Sequence, residues 1–177
     1  MQIYNLNKDE DSYGTGSGFF INSTGLIATN YHVIEARKYI LVQPSTEDEY
    51  YVANIVAYDE EIDLAIIQLA GEYISPNYLT FSNKNVSVGD NIYVSGYPRG
   101  IDLTISNGII SNDEHQAKNE AGEYYLITAA VSPGNSGGPV VNTSGKVIGI
   151  ATAKYETAEN LNLIRPVSYL EELIDEK

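Results

Sequence analysis

The chain has 177 residues, 43% apolar and 19% charged, ordinary for a globular protein and enough to bury a core as one domain or two small ones. Twenty-four acidic against ten basic side chains leave a net charge of −14, which argues against binding a nucleic-acid backbone or an anionic membrane surface and permits a basic partner or substrate. There is no cysteine, which excludes disulfides, thiolate metal sites and a cysteine nucleophile, and no apolar run approaches the roughly 18–20 residues of a membrane-spanning helix. His32 and His115 lie far apart without metal-ligand spacing, so no metal and no other cofactor is expected. The N-terminus, Met1–Glu10, lacks the basic start and apolar core of a signal peptide, so the expected location is cytoplasmic.

Fifteen tyrosines, fifteen glycines and many Val, Ile and Thr favour strands and turns over helices. Residues 1–12 are polar and acidic apart from Ile3, Tyr4 and Leu6, and read as a loosely held arm. Gly14-Thr15-Gly16-Ser17-Gly18 opens the apolar run Phe19-Phe20-Ile21. The glycines precede a strand pattern and no Gly-Lys-Ser/Thr follows, so a glycine-bulged strand is a better reading than a phosphate loop. Asn22-Ser23-Thr24-Gly25 is a turn, and Leu26–Thr29 returns as the second strand of a hairpin. His32 follows just past that strand end. Further strands are expected over Tyr39–Gln43 and Tyr50–Tyr58, separated by the acidic turn Pro44–Glu49. Asp59-Glu60-Glu61 reads as a solvated turn. Asp63 differs, because it directly precedes the near-continuous apolar strand Leu64–Leu69, which puts its carboxylate in partial burial. A buried carboxylate needs a partner, and histidine is an attractive one.

A polar connection over 72–85 leads to a fresh set of strands, so the chain divides near residues 82–90 into two similar halves, 1–84 and 85–177. Asn91–Gly96 is a strand closed by the turn Tyr97-Pro98-Arg99-Gly100. Leu103–Ser111 is another, and Asn112–Gly122, rich in acids and amides and holding His115, reads as an exposed, mobile loop. Tyr124–Thr128, Val147–Ala153 and Leu161–Ile164 are strands, with an acidic loop over Tyr155–Asn160. Val167–Ile174 carries apolar residues at helical spacing and predicts an amphipathic terminal helix. Short strands at such regular intervals predict an all-β barrel or sandwich.

Between the apolar runs Leu126–Val131 and Val140–Ile150, the stretch Val131-Ser132-Pro133-Gly134-Asn135-Ser136-Gly137-Gly138-Pro139-Val140 packs three glycines, two prolines and two serines into ten residues. Glycine allows positive φ and close backbone approach, while proline fixes φ. Such a stretch is a stiff turn that exposes a serine beside a row of backbone N–H groups. Acyl transfer needs that combination of a nucleophilic hydroxyl and preorganised donors for an oxyanion. Alone, it is also compatible with a Gly-Pro-rich surface loop.

Four segments together resemble the chymotrypsin-like serine peptidases, most of all their HtrA/Deg-type bacterial branch: Gly16-Ser17-Gly18-Phe19, Thr29-Asn30-Tyr31-His32-Val33, Asp63-Leu64-Ala65-Ile66 and Pro133–Pro139. Histidine, aspartate and serine follow in the family's order at intervals of 31 and 73 residues. The resemblance covers about residues 14–174 and implies an all-β fold of two six-stranded antiparallel β-barrels packed face to face, with a C-terminal α-helix. The unit 1–84 would carry His32 and Asp63, and 85–177 would carry Ser136. Ser136 would be the nucleophile and His32 the general base and then acid. Asp63 would hold the His32 tautomer and stabilise its imidazolium, and the backbone of Gly134, Asn135 and Ser136 would supply the oxyanion hole. The resemblance also implies a primary specificity pocket walled by Thr128-Ala129-Ala130 and by Leu161-Asn162-Leu163. Thr152-Ala153-Lys154 would pair with the substrate backbone as an added strand.

No carboxylate falls on those walls, so an uncharged residue is expected at the cleaved bond, with Glu156 and Glu159 as the competing source of a basic preference. Asn135 stands where trypsin-type enzymes have Asp, as is usual in the HtrA branch, so activation by a freed N-terminus is not expected. Asn162 stands near the pocket floor where HtrA relatives usually have Gly, and no PDZ module follows the helix. The expected function is a serine endopeptidase acting on protein or peptide substrates, with a partner subunit as one way of delivering substrate or activating it. Two alternatives stay open: a catalytically silent peptidase-fold module that binds peptides or a partner protein, and an esterase. The lack of that class's strand-to-helix elbow around the serine, and a different triad order, count against the esterase.

Overall fold

A computed structural model describes residues 1–6, 13–35, 39–75, 77–116, 121–154 and 161–175. Its first seven strands are β1 (Gln2–Leu6), β2 (Tyr13–Ser17), β3 (Phe19–Phe20), β4 (Leu26–Thr29), β5 (Tyr39–Gln43), β6 (Tyr51–Asp59) and β7 (Leu64–Leu69), with one helical turn, α1 (Tyr31–Ile34), after β4. They form an antiparallel sheet in the order β2-β1-β5-β6-β7-β4-β3. The two end strands, β2 and β3, are consecutive in the chain and separated only by Gly18, so the sheet curls into a nearly closed barrel. Counting β2 and β3 as one bent strand recovers the six expected. A Cβ at Gly18 would lie 2.8 Å from Ile3 Cδ1 and 3.0 Å from Ala28 O, which is why the corner is a glycine.

Residues 2–6 are not a loose arm. β1 pairs on both sides, with Ile3 opposite Gly16 of β2 and Val42 of β5. The single isoleucine suffices because it fills the barrel interior, fully buried, while the Asn5 side chain donates to Val33 O at 2.7 Å.

The second barrel consists of β8 (Asn91–Gly96), β9 (Thr104–His115), β10 (Tyr124–Ile127), β11 (Pro139–Asn142), β12 (Val147–Lys154) and β13 (Asn162–Pro166), closed in the order β10-β13-β12-β11-β8-β9. Residues 112–115, expected in a mobile loop, extend β9. Bulges in the β9–β10 ladder let this polar segment pair onward, with His115 opposite Tyr124. The acidic loop Tyr155–Asn160, with Glu156 and Glu159, lies outside the described residues.

Among the described residues, three larger apolar clusters hold the molecule together, beside a small one of Tyr124, Leu126 and Leu163. One fills the first barrel around Ile27, Val42 and Ile67, and another fills the second around Ile92, Ile127 and Val140. The third lies between the barrels and joins Phe19, Leu64 and Ile66 to Val147, Ile150 and the helix α2 (Val167–Asp175) through Leu170 and Leu173. This explains the unbroken apolar run of β7. Its alternate residues face opposite cores, Ala65, Ile67 and Leu69 inward and Leu64 and Ile66 toward the second barrel.

Candidate active site

Asp59 Oδ1 accepts hydrogen bonds from the Glu61 and Ile62 amides at 2.8 and 3.2 Å, so the acidic run before β7 is organised by its own first side chain. The turn ends at Asp63, in the left-handed region with φ +56, a conformation that aspartate tolerates better than most residues. There its carboxylate meets His32 on α1 twice: Oδ1 accepts the His32 amide at 2.9 Å and Oδ2 pairs with Nδ1 at 2.7 Å. The Asp63 side chain is 23% exposed and that of His32 is 43% exposed. A carboxylate on Nδ1 selects the tautomer that leaves Nε2 as the free base nitrogen. The expected burial of Asp63 and its histidine partner are both present.

Around Ser136 the chain makes two turns in tandem. The Asn135 amide donates to Ser132 O at 2.9 Å and the Gly138 amide to Asn135 O at 2.8 Å. In each turn the third residue is a glycine with positive φ, Gly134 at +99 and Gly137 at +84. Pro133 precedes Gly134, the pairing that a type II turn favours. Other groups of the loop are held from outside. Pro133 O accepts from the Arg99 amide at 2.7 Å, Ser136 O from the Ser17 amide at 2.8 Å, and the Gly137 amide donates to Ala151 O at 2.8 Å. Gly134 O accepts from Ser17 Oγ at 2.7 Å. Among the described residues, the Gly134 and Ser136 amides donate to nothing, as does that of Ser132 where the loop begins. Asn135, expected with them, is corrected: its amide is spent inside the turn.

The barrels meet through side chains that sequence reasoning quoted only as parts of motifs. Asn30 is fully buried at the start of α1 yet makes no helix cap. Its Nδ2 donates instead to Asp63 O and to Thr152 Oγ1 of β12, both at 2.7 Å. Thr152 O in turn accepts from Ser136 Oγ at 3.1 Å. A Cβ on Gly137 would collide with Thr29 Oγ1 and lie 3.1 Å from the Asn30 amide, so the serine turn packs directly on the segment leading to His32. Arg165 on β13, missed entirely in the sequence, is fully buried and donates to Ile62 O at 2.9 Å, next to Asp63, while its guanidinium lies 3.8 Å from the Tyr124 ring centre. A cavity of about 390 Å³ opens beside this group, lined by His32, Asp63, Tyr124, Thr152, Glu60 and Glu61. On its rim the Tyr31 phenol donates to Glu60 at 2.7 Å, which pushes its pKa up to about 12.

The expected pocket walls come together in part. Asn162 is buried and donates through Nδ2 to Ala129 O at 2.7 Å, and Ala129 is itself fully buried. Thr128 Oγ1 accepts from the Ile109 amide, and Ala130 O from Ser106 Oγ at 2.7 Å. Residues Ala153 and Lys154 pair with Leu163 and Asn162 on one side. Pairing of β12 with β11 ends at Ile150, so the other edge of Thr152, Ala153 and Lys154 carries no strand among the described residues.

A family model described as "Trypsin-like peptidase domain" matches residues 16–150. The probable periplasmic serine endoprotease DegP-like of Chlamydia trachomatis is 37% identical over 143 residues, 78% of this chain and 28% of that protein. The magnetosome formation protease MamE of Paramagnetospirillum magneticum is 34% identical over 79% of this chain and 20% of its own length. The chain thus spans under a third of these relatives. The solved structure of the HtrA-type protease AlgWS227A with tripeptide shares the fold, with a TM-score of 0.89 at 24% identity over 99% of this chain and 58% of that one. Relatives named as periplasmic and magnetosome proteases overturn the expected cytoplasmic location, which rested on the composition of Met1–Glu10. The first residues of a chain that matches a fraction of its relatives do not fix where it works. By the matched segment, the relatives and the two-barrel architecture, the chain belongs to the trypsin-like peptidases, in their HtrA-type branch.

Proposed function

We propose that this chain is a serine endopeptidase working through Ser136, His32 and Asp63. The observation that carries the reading is the serine turn itself: the carbonyls of residues 132–136 all have partners, while the N–H groups of Gly134 and Ser136, on either side of Asn135, have none. In the reaction Ser136 Oγ turns from Thr152 O to His32 Nε2, gives up its proton and attacks the scissile carbonyl. The developing negative charge is met by the Gly134 and Ser136 amides. His32, now an imidazolium paired with Asp63, protonates the leaving amine, and water then repeats the steps in reverse on the acyl-enzyme. Asp63 stays ionised and holds the ring.

Substrate is a polypeptide whose backbone adds to the open edge of Thr152-Ala153-Lys154. Its side chain before the cleaved bond sits between Thr128-Ala129-Ala130 and Asn162 and is uncharged. Glu60 and Glu61 beside the cleft favour basic residues elsewhere in the substrate. The named locations of the relatives support action outside the cytoplasm, and a partner that delivers or activates is compatible with the short span of the chain.

Profiling a mixed peptide library with wild type and Ser136→Ala tests this reading. Wild type cleaves after small or medium uncharged residues and the variant cleaves nothing. Cleavage by Ser136→Ala at the wild-type rate, in a preparation free of host proteases, would overturn the reading. Dominant cleavage after Lys or Arg would overturn the pocket assignment.

A further inference from the structure

The motif Gly16-Ser17-Gly18 has a job beyond bulging a strand. We propose that Ser17, on the first barrel, is the positioning residue of the oxyanion hole on the second, an inference that rests on the triad reading above. Ser17 is almost fully buried, and every hydrogen-bonding group it has points across or along the barrel junction. Its amide donates to Ser136 O at 2.8 Å and its hydroxyl donates to Gly134 O at 2.7 Å. The direction of the hydroxyl is fixed chemically. The Tyr97 amide reaches the same Oγ at 3.0 Å and can only donate, so the one hydroxyl proton goes to the Gly134 carbonyl. Ser17 O, in turn, accepts from Thr29 Oγ1 at 2.8 Å, which ties Ser17 to the strand that leads to Asn30 and His32.

The need for such a clamp follows from the loop's own composition. Gly134, Gly137 and Gly138 leave its peptide planes with little intrinsic preference, so their orientation depends on outside partners. A peptide's C=O and N–H point in opposite directions. Fixing the carbonyls therefore fixes where the neighbouring N–H groups aim. Arg99 holds the Pro133 carbonyl and thereby turns the Gly134 N–H away from itself. Ser17 holds the next carbonyl, Gly134 O, and the one after Asn135, Ser136 O. The Gly134 and Ser136 amides are thus each bracketed by a carbonyl pinned to the first barrel or to the 97–99 turn. Without the hydroxyl, the Gly134–Asn135 plane keeps only the Asn135 amide bond to Ser132 O, so the turn at the flexible Gly134 loses its tie to the first barrel and the Gly134 N–H, one plane back, is held by Arg99 alone.

Ser17→Ala removes the hydroxyl and keeps the amide bond to Ser136 O. Ser17→Cys keeps a weaker donor in place. Both are compared with wild type on one fluorogenic peptide, with rates normalised to active sites titrated by a fluorophosphonate, so that an unfolded fraction does not count. The same peptide carried as a boronate reports on the tetrahedral state, and its binding to Ser136→Ala proteins with and without Ser17→Ala reports on the ground state. Loss of a whole oxyanion donor costs roughly 10²–10³ in kcat. A loosened donor should cost less, so Ser17→Ala lowers kcat about 10–100-fold and boronate affinity by the same factor. Ground-state binding and KM stay within about twofold, and Ser17→Cys falls between. Normalised kcat within twofold of wild type would overturn the inference, as would a drop in kcat that leaves boronate affinity unmoved. Hydrolysis that survives Ser136→Ala would instead sink the triad reading on which the inference stands.

Discussion

Gly134→Ala is the substitution that tests the serine turn most sharply. Gly134 has φ +99, a backbone conformation that costs an L-residue roughly 1–2 kcal/mol at the least. The added Cβ would collide with Tyr97 O and lie 2.6 Å from the Arg99 amide nitrogen. Both are backbone atoms, so no rotamer relieves the contact, and either the turn or the 97–99 segment must move. Either movement breaks the alignment of the Pro133 carbonyl with Arg99 and carries the Gly134 N–H off its direction. Loss of that donor lowers kcat about 10²–10³-fold, equivalent to roughly 3–4 kcal/mol of transition-state stabilisation, with KM little changed. Strain of roughly 1–3 kcal/mol lowers the melting temperature by about 2–12 °C in a chain of this size. Gly145→Ala is the control. Gly145 has φ +73 with nothing within 4 Å of an added Cβ, so it suffers the strain without the collision and keeps wild-type kcat. Steady-state hydrolysis and thermal melts of the two variants decide the matter. A Gly134→Ala protein with kcat within threefold of wild type would refute the assignment of its amide as an oxyanion donor.

Asp63→Asn keeps the shape of the His32 contact but turns an acceptor into a donor at Nδ1, so kcat falls about 10⁴-fold with little loss of stability; a loss under tenfold would remove Asp63 from the reaction. Asn30→Ala and Thr152→Val each break one bridge between the barrels, and because they share it their effects on kcat in the double variant fall short of additive. Full additivity would mean that the 2.7 Å contact does not couple the two halves. Glu47 accepts hydrogen bonds from the Tyr51 and Tyr73 phenols, which hold its carboxyl below the usual 4.5. A lowered folded-state pKa gives stability that is full above the unfolded value and lost as pH falls through the folded one. The gap in melting temperature between wild type and Glu47→Gln is therefore widest at pH 6–7 and narrows toward pH 3, and a gap independent of pH would contradict this.

What could be read in the chain was whatever announces itself locally. The apolar run after Asp63, the turn residues at 22–25 and the three glycines around Ser136 each encode their own geometry; most strands and the His32–Asp63 contact stand where they were expected, and the single stiff turn expected at Ser136 is two turns in tandem. The first strand was misread because one buried isoleucine among polar residues carries no periodic signal, and its pairing with β5 is a long-range event. The extension of β9 through His115 was hidden for the same reason, since polar residues on an outer strand resemble a loop. Ser17, Asn30 and Arg165 were opaque at a deeper level. Their partners lie 117, 122 and 103 residues away in the chain, and a serine, an asparagine and an arginine have no pattern until the two barrels meet. Asn135 shows the converse limit, because which amides a turn consumes depends on its type and not on its composition.

The central claim is that Ser136 is the nucleophile, and the most direct measurement is the site of covalent attack by a fluorophosphonate. Wild-type protein is labelled, digested and sequenced by mass spectrometry, beside Ser136→Ala, His32→Ala and Asp63→Asn. The account predicts a single adduct on Ser136, none on Ser136→Ala, and labelling slowed at least a hundredfold in the other two. An adduct on a different residue, or equal labelling of Ser136→Ala, would contradict it.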